Sequence, residues 1–235
     1  MADTNITTIN TGAQPALWRL LQLVSPNLPI GAFAYSQGLE QAVDSGRVTD
    51  EAATYEWLSG VLSHSFASLE IPLLSHCYRA WQLGDESSVS YWNDFLLASR
   101  ETAELHEEER LLGINLARLL ADLGIDEARP WSQQSQTTLI NMFALAAVKW
   151  QIPMAQAAQG LVWSWLENQI AAAIKLVPLG QTAGQRLYMQ LTPDLEQAVN
   201  QGLAIEDEAD IGQSAFGVAL ASSWHETQYS RLFRS

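Results

Sequence analysis

The stretch Leu105–Gly124, "LHEEERLLGINLARLLADLG", decides the fold class of this chain. Leu105, Leu112, Leu116, Leu119, Leu120 and Leu123 recur at intervals of three, four or seven residues. That period belongs to one face of a helix, and Gly124 supplies its stop. The same stretch opens on the densest cluster of chemistry in the chain, "ELHEEER", Glu104–Arg110. A histidine among carboxylates suits a metal site or an acid–base pair. Ligands on one helix, however, must lie three or four residues apart to share a face. His106, Glu107, Glu108 and Glu109 are consecutive and fan around the axis. Glu107 and Arg110 stand three apart and suit a surface ion pair. The cluster therefore reads as a solvated helix start, with no metal ligands expected.

The helical period extends outward in both directions. Leu17, Leu20, Leu21 and Val24 form a first stripe, and Tyr55, Leu58, Leu62 and Phe66 another. Thr49 before Asp50 and Glu51 reads as an N-cap followed by acids in the first turn. Pro72 suits the start of a separate helix ending near Gly84, and Ser88–Arg100 is a further amphipathic piece. "EARPWSQQSQT", Glu127–Thr137, is polar and reads as a loop. Helical patterns follow at Leu139–Trp150, Pro153–Val177, Gly180–Asn200 and Ser214–Gln228, the last after an acidic loop, Asn200–Ser214. No segment alternates with period two. The expectation is an all-α, single-domain bundle of about ten helices. Residues 1–14 form a polar N-terminal segment, 15–227 the helical domain and 228–235 a tail.

Composition narrows the function. The net charge is −14 in 235 residues, so the chain repels phosphate backbones and anionic membranes, and neither is an expected partner. A basic protein surface fits better. The single cysteine, Cys77, lies in the apolar run "IPLLSHCYRAW" and reads as a buried thiol, not part of a disulfide framework. The start "MADTNITTINTG" lacks the basic-then-apolar pattern of a leader, and no window is apolar enough to span a bilayer. A cytoplasmic protein is expected. Phosphate loops, dinucleotide fingerprints and GxSxG elbows do not occur, and His64, His76 and His225 stand singly. No catalytic residue or cofactor is expected.

Three segments ask for more than packing. In "SPNLPIGAFAYSQGLE", Ser25–Glu40, Pro26 and Pro29 stiffen the backbone and Gly31 lets it turn sharply. Ser36 can cap the helix that follows, with Glu40 in its first turn. This is either a rigid connector stapled down by its aromatics or a platform that displays Phe33 and Tyr35. In "AAAIKLVPLGQ", Lys175 is one of only two lysines and either complements a helix C-terminus or makes a contact at that corner. The end, "SSWHETQYSRLFRS", carries Tyr229, Arg231, Leu232, Phe233 and Arg234, an arginine-bracketed apolar pair in an acidic chain. Such a tail suits an anchor that orders on binding.

"LLQLVSPNLPIGAFAYSQGLE", "KLVPLGQ" and "HETQYSRLFRS" together resemble the UreF family of urease accessory proteins, from about Leu17 to Ser235. The resemblance implies an all-α homodimer without enzymatic activity. It implies binding to UreD (also called UreH), partly through Tyr229–Arg234, and recruitment of the nickel-carrying GTPase UreG. Phe33, Tyr35 and Lys175 fall at positions that face or control UreG. The assembly docks on the urease apoprotein and regulates nickel insertion. An alternative makes the chain an activator that supplies an arginine finger to UreG, from Arg231 or Arg234. A third reading, a metal-dependent hydrolase built on His106, rests on the Glu104–Arg110 cluster alone.

Overall fold

A computed structural model describes residues 14–212 and 215–235; the polar segment before Gln14 lies outside them. Eleven α-helices and no strand occur among the described residues. They are α1 Gln14–Leu23, α2 Leu39–Asp44, α3 Glu51–Val61, α4 Ile71–Leu83, α5 Glu86–Ala98, α6 Ala103–Asp122, α7 Ala128–Gln133, α8 Leu139–Lys149, α9 Met154–Leu176, α10 Gln181–Ala204 and α11 Phe216–His225. The all-α class read from the apolar period is the class observed.

At the centre lies α8, whose residues Ile140–Ala147 are all buried. α4 and α6 pack against it. Leu112, Leu116 and Leu120 give α6 its buried stripe, as their spacing predicts. α6 also runs unusually close to the segment before α8. A Cβ on Gly113 would lie 2.2 Å from the Thr137 carbonyl oxygen, so only glycine fits this crossing. Side-chain caps start the helices where short polar residues precede them: Asp85 accepts from Ser88 N, Thr102 from Leu105 N and Thr138 from Asn141 N.

Local rules set several boundaries differently. Asp50, not Thr49, caps α3, accepting from Ala53 N. The presumed loop Glu127–Thr137 contains α7, whose Trp131 is buried. α10 runs four residues past Asn200, and α11 is shorter at both ends than the pattern suggests. At Pro72 the expected helix is α4, with Pro72 in its first turn and Gly84 as its C-cap; what the pattern did not show is the π-helical segment, Leu62–Glu70, that joins α3 to α4. Proline lacks the N–H that Ser68 O would accept in an α-helix. That carbonyl instead accepts Gly212 N at 3.0 Å. A residue without a donor is thus accommodated in the first turn of α4.

Candidate functional site

The connector Ser25–Gly38 crosses one end of the bundle, and its backbone is held by side chains from two long helices. Asn115 of α6 donates to Ile30 O at 2.9 Å. Asn168 of α9 donates to Ala32 O and Tyr35 O at 3.1 and 3.0 Å. Gly31 takes φ 89°, turning the chain into a single 3-10 turn, Ala32–Ala34. On that turn Phe33 stands 70% exposed, while Tyr35 is 4% exposed and belongs to the core. Burial raises the Tyr35 hydroxyl above its ordinary pKa, partly offset by a hydrogen bond from Arg234. Of the two aromatics expected on this platform, Phe33 alone is displayed.

The chain's last residues lie across this connector as a strap. Arg234 N donates to Ala34 O, and Ser36 N donates to the Ser235 main-chain oxygen, both at 2.8 Å. Phe233 is buried in a small cluster with Leu39, Ala42, Val48, Ala172, Ala173 and Val177. Leu232 and Tyr229 point outward, Leu232 at 77% exposure. Lys175 is exposed at the C-terminal end of α9, with its Nζ 5.7 Å from the centre of the Phe233 ring. The strap therefore runs between the two places singled out in the sequence. It touches Lys175 through Phe233 and the Phe33 turn through Arg234.

A set of buried and half-buried carboxylates clasps the strap. Glu40, in the first turn of α2, accepts Leu232 N at 2.7 Å and Phe233 N at 2.9 Å. Its Oε2 also lies 3.2 Å from His225 Nε2. His225 Nδ1 lies 2.8 Å from Glu104 Oε2, and Arg231 donates to the other Glu104 oxygen at 2.8 Å. One turn along α6, Glu108 meets Ser235 Oγ at 2.7 Å and Gln37 Nε2 at 2.8 Å. Gln37 in turn accepts Trp165 Nε1–H. The indole only donates, so it fixes the amide orientation of Gln37. Burial pushes the Glu108 carboxyl up to about 7 despite the hydrogen bonds from Ser235 and Gln37, which favour its ionised form. Gly38, not Ser36, caps α2; Ser36 is buried and accepts Glu40 N.

Glu109 serves the centre of the bundle. With Glu70 it brackets Arg100, each pair at 2.7 Å. Its second oxygen accepts Leu139 N at the start of α8. Burial opposes the Arg100 charge, but Glu109 and Glu70 more than compensate, and the guanidinium is held above its ordinary pKa. Beneath the connector is a cavity of about 240 Å³, walled by Leu28, Phe66, Leu112, Phe143 and Trp165. Of the polar groups at its edge, Gln37, Arg100, Glu108 and Glu109 are already paired.

The solvated helix start expected at Glu104–Arg110 needs correction. Glu107 and Arg110 do pair at the surface, but Glu108 and Glu109 are buried. Both sit three or four residues from Leu105 and from Leu112, on the apolar stripe itself. That spacing was the available signal. Glu40, Gln37 and His225 carried no comparable one, because their partners lie up to about 200 residues away.

These features define an all-α protein with a displayed aromatic, exposed apolar tail residues and a polar clasp beneath them. The UreF family model matches residues 48–192. The urease accessory protein UreF of Alkalilimnicola ehrlichii is 52% identical over 223 residues, 95% of this chain and 96% of that one. That of Chromohalobacter salexigens is 50% identical over 94% of this chain and 95% of its own length. The Pseudoalteromonas translucida UreF is 48% identical over 94% of both chains. The chain belongs to the UreF family, as the three quoted segments suggested. Among the described residues, no helix is long and apolar enough to cross a membrane.

Proposed function

We propose that this chain is a non-enzymatic scaffold of urease maturation in the cytoplasm. It bridges UreD/UreH and the GTPase UreG on the urease apoprotein and regulates GTP-dependent nickel insertion. The observation that carries this reading is the joined corner: exposed Phe33, Lys175, Tyr229 and Leu232 mounted on a backbone fixed from α6, α9 and the clasp. Large apolar groups on a rigid frame bind a partner at little entropic cost. UreD/UreH takes the outer face of the strap, Tyr229 and Leu232, and UreG the Phe33 turn with Lys175. Tyr35, Phe233 and Arg234 act from behind by holding that surface. Exposed Trp18, Trp163 and Met189 supply apolar area for a homodimer. Arg231 and Arg234 are tied to Glu104 and Tyr35, so an arginine finger would first have to leave its pairing.

Co-purification with UreD and UreG tests the assignment. Truncating the strap is a poor probe, because it strips partners from Glu40 and Glu108. Tyr229→Ala with Leu232→Ala spares the clasp and is expected to abolish UreD capture. Phe33→Ala is expected to keep UreD, lose UreG and abolish urease activation. Each exposed change should move stability by less than about 0.5 kcal/mol. Full UreG recruitment by a folded Phe33→Ala protein overturns the Phe33 role.

A further inference from the structure

His225 is fully buried, and each of its ring nitrogens faces a carboxylate oxygen. Ionised carboxylates only accept hydrogen bonds, and a neutral imidazole has one N–H. Two ionised carboxylates and a neutral ring would therefore point one nitrogen lone pair at an oxygen lone pair, away from solvent. Such an arrangement is costly. The contacts are satisfied when the three groups share one additional proton, carried by the ring or by one carboxyl. The carboxylates involved, Glu40 and Glu104, are the ones that grip Leu232 N, Phe233 N and Arg231.

We infer that the strap is a proton-dependent latch, closed while Glu40, His225 and Glu104 hold that proton and loosened as alkaline pH removes it. The latch is a property of the chain by itself, whichever partner the strap meets. α2 and α6 pack against α11 and supply the neighbouring charges. From α2 comes Glu40. From α6 come Glu104 and Glu108, with Glu107 paired to Arg110 at the surface. Just past the end of α11 comes Glu226, which accepts Ala103 N, and from the strap come Arg231 and Arg234. Arg47 is spent over the Trp224 ring. Arg231 is therefore the one permanent cation paired with a triad carboxylate among the described residues. It neutralises one of the two carboxylates, and the shared proton neutralises the other. Deprotonation leaves uncompensated buried charge under the Leu232 and Phe233 amides.

Glu108 titrates nearby and must be separated from the triad. In Glu40→Gln or Glu104→Gln, the new amide can donate to a neutral imidazole, so the additional proton is no longer required. The experiment is amide hydrogen exchange of the C-terminal peptide between pH 6 and pH 9, corrected for the intrinsic rate, on the full chain. Helicity by circular dichroism confirms that each variant is folded. Wild-type protection is expected to fall about tenfold or more over this range, as one linked proton allows. The fall should persist in Glu108→Gln, and in that background, where Glu108 no longer titrates, it should disappear on adding whichever of Glu40→Gln and Glu104→Gln folds. Flat wild-type protection overturns the latch. So does an unchanged fall in the folded double variants, or its loss in Glu108→Gln. If neither of those double variants folds, the wild-type and Glu108→Gln profiles decide it by the same criteria.

Discussion

The centre of the bundle and the strap corner are built from opposite materials. α8 is buried along eight consecutive residues, Ile140–Ala147, and Asn141 is the one polar side chain among them. At the corner, the buried set includes Ser36, Glu40, Glu108, His225 and Ser235. Apolar packing is non-directional, and its strength does not depend on pH. A polar cluster demands a partner for every group and fails steeply when one is lost. This fold separates robustness from adjustability: the middle holds the shape, and the corner fixes one particular arrangement of displayed side chains.

Arg100→Met attacks a place where the centre borrows the corner's chemistry. It leaves Glu70 and Glu109 buried without their cation and should cost about 3–5 kcal/mol in urea unfolding. A loss below about 1 kcal/mol would mean that the carboxylates are relieved in some other way. Leu145→Ala probes the apolar side; Leu145 is fully buried, and the cavity created should cost about 3 kcal/mol, equally at pH 6 and pH 8. A cost that differs between the two would erase the contrast drawn above. The smallest effect concerns Glu108. Its folded pKa, about 7, lies above its reference value of 4.5, so protonation stabilises the folded state. That contribution is fully present below pH 4.5 and is lost as pH rises through about 7; on the order of 2 kcal/mol of it falls between pH 5 and pH 8. Unfolding curves at pH 5 and pH 8 should therefore diverge more for the wild type than for Glu108→Gln. Equal divergence would show that the buried carboxyl is not the source.

Much of the centre could be read in advance, because helices announce themselves over short distances. The spacing of Leu112, Leu116 and Leu120 predicts a buried stripe whatever lies beyond it. Pro72 was legible for the same reason: a residue without an N–H fits the first turn of a helix, and it stands in the first turn of α4. At the corner, the stiffness of the connector was legible from Pro26, Pro29 and Gly31, which left open whether its aromatics turn inward or outward; Phe33 turns outward. The inward turn of Tyr35 was not, since nothing near it in sequence reveals Arg234 as its neighbour. A glutamate such as Glu108 is read as solvated by default. Its burial becomes tolerable only through Gln37 and Ser235, one from each end of the chain.

The pairing of Ser36 with Ser235 has a consequence for biosynthesis. The two residues are separated by 199 positions. As the chain leaves the ribosome, α2 and most of the bundle emerge long before the strap. During that interval Glu40, Glu108 and, once made, His225 lack their final partners, so the nascent protein can hold its apolar centre while its corner stays unfinished. The displayed surface is completed only when Arg231–Ser235 arrive, and a ribosome that stops short of them releases a helical protein with an unset corner.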